Sequence, residues 1–183
     1  AAHTGALAGA DRIYEAMFRS LGIIRVDELG ELVAIAKLYL NLGLPASTRI
    51  GLMSVSGGQA GALADAAVRS GLELPPIADE TAARLTELLP FGTAMNPCDL
   101  TGDVATRFDL AAEVYRAFDR DPNIDLVVYG RKELTGEAGR ASAAQLAHAV
   151  TEGTTRLAVY AMDGAVNEDE QQAYQRAGVP IFH

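Results

Sequence analysis

The chain has no tryptophan, a single cysteine, no basic run and no apolar stretch approaching a membrane span. Each absence removes a class of function. One cysteine cannot build a disulfide framework. The longest apolar runs, Leu126 to Tyr129 and Leu157 to Met162, fall far short of the roughly 20 residues a bilayer requires. Aromatics make up 6% of the residues, and 15 Lys and Arg stand against 24 Asp and Glu, a formal charge of −9. Such a surface repels phosphate backbones and offers few rings for base stacking, which excludes nucleic acid as a partner. The N-terminal residues carry neither a charged leader nor an apolar signal core, so the expected compartment is cytoplasmic and no membrane partner is expected.

What is present is a chain of 183 residues, 49% hydrophobic, able to bury an ordinary core. It lacks an initiator Met and opens on a Gly-rich stretch, which reads as a piece of a longer polypeptide. Short β-branched apolar runs alternate with amphipathic stretches, the pattern of an α/β fold whose parallel sheet is covered by helices. Strands are expected at Ile23 to Val26, Arg49 to Val55, Ala94 to Met95, Ile124 to Gly130, Arg156 to Met162 and Val179 to Phe182. Helices are expected over Asp11 to Leu21, Asp27 to Asn41, Gly58 to Ser70, Asp79 to Leu89, Arg107 to Asp119, Ala141 to Glu152 and Asn167 to Arg176. Asp27 is read as the N-cap of the second helix, Gly43 as its stop, and Leu29, Leu32, Val33, Ala36, Tyr39 and Leu40 as its apolar stripe. A second stripe, Phe108, Ala111, Tyr115 and Phe118, is read as core.

The Gly- and Pro-containing segment 43–48 marks a boundary. Residues 46–183 have the size of one domain, and residues 1–45 are too little for one, so they are read as the C-terminal part of a domain that begins upstream.

Three segments carry potential chemistry. In His3-Thr4-Gly5-Ala6-Leu7-Ala8-Gly9, small neighbours leave the imidazole uncovered, and a partly unprotonated imidazole can take up and release a phosphoryl group. On the segment alone, a histidine with no role is the better reading. Ser56-Gly57-Gly58-Gln59 follows a strand and opens a helix, so its free N–H groups at the positive end of the helix dipole suit phosphate. It matches neither a Walker loop nor a dinucleotide fingerprint, and a turn without ligand explains it equally well. Asn96-Pro97-Cys98-Asp99 follows another expected strand, so Asn96 and Asp99 would line the same crevice at the carboxyl edge, although shaping the turn suits them somewhat better. Cys98 reads as a small buried side chain, and no metal-ligating cluster is read anywhere.

Taken in order, three stretches resemble the nucleoside-diphosphate-forming acyl-CoA synthetases, relatives of succinyl-CoA synthetase and ADP-forming acetyl-CoA synthetase. They are His3 to Gly9 running into Gly22-Ile23-Ile24-Arg25-Val26-Asp27-Glu28-Leu29, then Ser56-Gly57-Gly58 with Asp65, then Asn96-Pro97-Cys98-Asp99-Leu100-Thr101-Gly102. Ala2 stands where the family often has Ser, and Cys98 where it has Val.

The resemblance implies that His3 carries phosphate from ATP to a carboxylic acid, and that coenzyme A then takes the acyl group from the acyl phosphate. It implies that Ser56, Gly57, Gly58 and Gln59 hold the phosphate, and that residues 46–183 form a flavodoxin-like, three-layer domain. ATP or ADP with Mg2+ and CoA would be substrates of the full enzyme, with none bound to this piece. CoA-binding and ATP-grasp domains would be supplied in cis or by another subunit, and a homo-oligomer is left open. The piece alone is expected to be inactive. A degenerate, regulatory synthetase-like region of a protein acetyltransferase is the alternative, but such a region would be expected to lose His3. A flavin-binding flavodoxin-like domain is disfavoured by the missing Trp and aromatic-rich loop.

Overall fold

The computed structural model describes residues 10–132 and 136–183. The chain forms two compact units, 1–37 and 38–183, which divide inside a helix.

In the first unit, α1 (Asp11–Leu21) ends where Gly22 adopts a left-handed conformation (φ 67°) and donates to the carbonyls of Arg19 and Phe18. Only glycine takes this position without steric cost. Arg25 returns to α1 through ion pairs with Asp11 (2.6 Å) and Glu15 (3.5 Å). The expected strand Ile23 to Val26 does not form. Its residues find no partner for a ladder among the described residues, and Ile24 remains 61% exposed. Helix α2 (Leu29–Leu42) starts two residues later than Asp27, with the Glu28 carbonyl accepting from Leu32 N–H, so Asp27 is not the cap. Glu31 accepts from the Asp27 N–H at 2.9 Å and so ties the residue before the helix start to the first turn. Gly43 (φ 68°) stops the helix as expected, and Leu29, Leu32, Val33, Tyr39 and Leu40 of its apolar stripe are all exposed.

The second unit is built on β1 (Ile50–Ser54), α3 (Gly57–Arg69), α4 (Asp79–Leu88), β2 (Cys98–Asp99), a 3-10 turn (Gly102–Ala105), α5 (Leu110–Asp119), β3 (Leu126–Arg131), α6 (Gly136–Glu152), β4 (Arg156–Ala161), α7 (Glu168–Arg176) and β5 (Ile181–Phe182). The strands form one parallel sheet in the order β2-β1-β3-β4-β5. This is the flavodoxin-like doubly wound order. The chain steps one way from β1 to β2 and the other way afterwards. Right-handed crossovers therefore place α3 on one face and α5, α6 and α7 side by side on the other.

All five residues of β1 are buried, as a strand covered on both faces requires. The core lies mainly between the sheet and the α5–α6 face, and includes Met53, Leu110, Tyr115, Phe118, Val127, Leu146 and Leu157. Of the expected aromatic stripe, Ala111, Tyr115 and Phe118 are fully buried and Phe108 is half-buried.

One strand is displaced from its expected position. Residues Ala94 and Met95 do not pair with β1; β2 begins only at Cys98. The reason is Asn96, whose carboxamide takes the place of a strand backbone. Its Oδ1 accepts from Leu52 N–H (2.9 Å) and its Nδ2 donates to the carbonyls of Ile50 (2.8 Å) and Pro75 (3.1 Å). Helix α6 begins five residues before the expected Ala141, because Gly136 and Gly139 weaken the helical signal there.

Candidate functional site

In an open α/β sheet the ligand crevice lies beyond the carboxyl ends of the strands where the winding reverses, here between β1 and β3. The β1 end is Ser54, followed by Val55, Ser56 and α3. The ladder with β3 runs to the carboxyl edge, where Ser54 stands opposite Gly130 and Val55 N–H donates to the Gly130 carbonyl. Gly130 has no side chain for a reason: a Cβ there would run into the end of Leu63 on α3. Helix α3 thus lies close on the sheet, with its first turn at the crevice.

Ser56 is the N-cap of α3 in extended conformation, and its side chain makes no cap hydrogen bond. Its carbonyl accepts from Ala60 N–H at 2.8 Å. The amides of Gly57, Gly58 and Gln59 precede the first intrahelical donor, Ala60 N–H, and so are left without helical acceptors at the positive end of the dipole. Gly57 and Gly58 are exposed, and a Cβ on Gly58 would meet nothing within 4 Å. Gly57 differs: a Cβ there would stand 2.7 Å from Asp99 Oδ2. The Asp99 carboxylate is therefore packed against the start of α3, one position from an open approach.

Asp99 is held by its own loop. Its Oδ1 accepts from Thr101 N–H (2.9 Å), and Leu100 N–H donates to the Ser54 carbonyl (2.8 Å). Thr101 takes φ 57° and ψ −169°, a region that non-glycine residues avoid at a cost of about 1–3 kcal/mol. A strained residue fixed beside the Gly-rich turn is a feature common to ligand clamps. The arrangement offers outward N–H donors for an anion and, immediately beside them, a carboxylate oxygen able to accept a proton or hydrogen bond.

The other sequence-derived candidates are placed as follows. Asn96 does not line the crevice; its amide is spent on β1 at the level of Ile50 and Leu52. The Gln59 side chain has its Oε1 buried without a hydrogen-bond donor among the described residues, so only the Gln59 backbone N–H is available to an anion. His3 lies outside the described residues. Cys98 is buried, and burial together with Asp99 pushes its thiol up to about 12, so it is no nucleophile at ordinary pH.

Sequence reasoning passed over Arg131 and Glu170, which form a buried ion pair at the end of β3 (2.6 Å; side chains 2% and 6% exposed). A charged residue closing an apolar strand run was the available signal. Among the described residues, no cluster of three or more His, Cys, Asp or Glu side chains could hold a metal, and no helix is long and apolar enough to cross a membrane.

The chain is similar in sequence and in fold to known proteins. Residues 1–39 match the family described as succinyl-CoA ligase like flavodoxin domain. The whole chain is 28% identical to 40% of the alpha subunit of acetate–CoA ligase [ADP-forming] II from Pyrococcus furiosus. Over 56% of the chain, it is 36% identical to 22% of the alpha subunit of isoenzyme I from the same organism. Among solved structures, the dinucleotide forming acetyl-coenzyme A synthetase 1 of Ca. Korarchaeum cryptofilum, in complex with phosphate and ADP, superposes with a TM-score of 0.82 at 18% identity, over 99% of this chain and 39% of that one. A Pyrococcus horikoshii protein gives the same score at 22% identity, over 96% of this chain and 41% of that one. The chain spans less than half the length of these relatives. By sequence the chain is similar to a part of the ADP-forming acetate–CoA ligases, and its fold is that of the superposed structures.

Proposed function

We propose that the protein is part of an acid–thiol ligase that joins a carboxylic acid to coenzyme A while ATP is cleaved to ADP and phosphate. The observation that carries this reading is the open N-terminus of α3 at the β1–β3 switch point, in a chain that aligns from end to end with an acetate–CoA ligase subunit. Residues 1–45 belong to one ligase domain and bring His3; residues 46–183 form the next and bring the anion cradle. CoA-binding and nucleotide-binding domains complete the enzyme, in cis or as another subunit, in the cytoplasm.

A nitrogen of His3 attacks the γ-phosphoryl group of Mg2+-bound ATP and expels ADP. The carboxylate of the acid then takes the phosphoryl group from His3, giving an acyl phosphate and restoring the imidazole. The CoA thiolate attacks the acyl carbon, the C–O bond to phosphate breaks, and phosphate leaves. The cradle amides of Gly57, Gly58 and Gln59 stabilise the charged phosphoryl oxygens while His3 carries them.

The test uses the full-length protein with ATP and Mg2+. Phosphate is expected on His3 by mass spectrometry, and His3→Ala is expected to abolish acyl-CoA formation; unimpaired turnover by that variant would sink the reading.

A further inference from the structure

The cradle sets its donors beside an acceptor. The amides of Gly57, Gly58 and Gln59 have no helical acceptor, and Asp99 Oδ2 lies 2.7 Å from the point where a Gly57 side chain would begin. The other carboxylate oxygen, Oδ1, accepts from Thr101 N–H at 2.9 Å, whereas Oδ2 has no donor among the described residues. The backbone around it is pinned. Asp99 N–H donates to Thr93 Oγ1 (3.4 Å), Leu100 N–H donates to the Ser54 carbonyl (2.8 Å), and a Cβ on Gly92 would run into the Asp99 carbonyl oxygen.

Charge decides which anion suits this arrangement. A helix start offers the equivalent of about half a positive charge, and the Asp99 carboxylate beside it brings a full negative one. Segments 54–61 and 92–106, which form the turn and the loop, contain no Lys or Arg, and their charged residues are Asp99 and Asp103, both acidic. An anion without a proton therefore meets a local field that opposes it. An anion that carries an O–H does not: its other oxygens accept from the amides, and its hydroxyl donates to Oδ2, turning the repulsion into a charge-assisted hydrogen bond.

We infer that Asp99 makes the cradle selective for an oxyanion that brings its own proton, hydrogen phosphate, against a fully deprotonated oxyanion of the same shape, sulfate. The inference rests on the reading of the cradle as the phosphate site of a ligase, and it specifies the form in which free phosphate occupies that site. A dianionic phosphoryl group carried on an imidazole has no such proton and is held less firmly, which favours its transfer. Asp99→Asn separates this role from a structural one, because the carboxamide keeps an oxygen for Thr101 N–H and puts an NH2 donor of similar size in place of Oδ2.

The test is titration calorimetry on the full-length protein without nucleotide, at neutral pH and fixed ionic strength, with potassium phosphate and potassium sulfate. The wild-type protein is expected to bind phosphate about 10- to 100-fold more tightly than sulfate, and Asp99→Asn to lose that preference chiefly through tighter sulfate binding. Equal affinity of the wild-type protein for the two anions overturns the inference. So does an unchanged ratio in Asp99→Asn, or the absence of phosphate binding. Labelling of His3 by ATP is read separately: its loss strikes the ligase reading, whereas labelling together with an unselective cradle strikes the role of Asp99 alone.

Discussion

At the scale of single residues, the two adjacent glycines of the cradle have different jobs. Gly57 is glycine because the Asp99 carboxylate lies where its side chain would be, whereas Gly58 faces open space. Gly57→Ala must push Asp99 aside and is expected to destabilise by about 1–3 kcal/mol. Gly58→Ala restricts the unfolded chain without a clash and is expected to stabilise by about 0.4–1 kcal/mol. Urea unfolding midpoints of the two variants, measured side by side, read the difference directly. Both glycines were legible in the sequence as turn formers, but the distinction between them was not. It depends on a carboxylate that arrives from the β2 loop, and nothing local to Ser56-Gly57-Gly58 announces it.

At the scale of elements, the strands and helices read best where one periodicity ran without interruption. Helix α1 spans the expected residues, and β1, β3, β4 and α7 start and end within a few residues of expectation. The failures have physical causes: an apolar run at Ile23 with no neighbouring strand among the described residues, and a β2 pushed onward because the Asn96 side chain already occupies the edge of β1.

The junction between α5 and β4 carries a testable pH dependence. Asp119, the last residue of α5, accepts from the N–H groups of Thr154 (2.8 Å) and Thr155 (2.6 Å). Partial burial pushes its carboxyl up, but the bonds from Thr155 and Thr154 together outweigh this and hold it below its usual range. A depressed carboxylate contributes stability that is fully present above the unfolded pKa of about 3.9 and is lost as pH falls through the lower, folded value. Urea midpoints followed from pH 6 downward should therefore drop below about pH 4, and the acid limb should be shallower in Asp119→Asn. A limb of unchanged slope in the variant would show that other carboxylates carry the effect.

At the scale of the whole molecule, the two units differ in what they bury. Among the described residues, every core residue belongs to the second unit, and no residue of α1 is fully buried. An isolated helix of 11 residues is marginal in water, so α1 has little of its own to hold it. In a protein of residues 1–183, the amides of α1 are expected to exchange with solvent orders of magnitude faster than those of β1 and β3, whose opening approaches global unfolding. Comparable protection across both units, seen by hydrogen exchange, would contradict this.

The sequence by itself determined the class of fold, the alternation of strands and helices, and the Gly-rich turn where an anion can bind. These follow from local rules, since periodicity and turn chemistry act within a few neighbouring residues. Only the tertiary structure decided that Asp99 and not Asn96 stands at the cradle, that Gly57 is obligatory while Gly58 is open, and that Arg131 meets Glu170 with two donors to spare. Each of these joins residues from separate strand–helix units, and the crossovers of the sheet bring them together at its carboxyl edge.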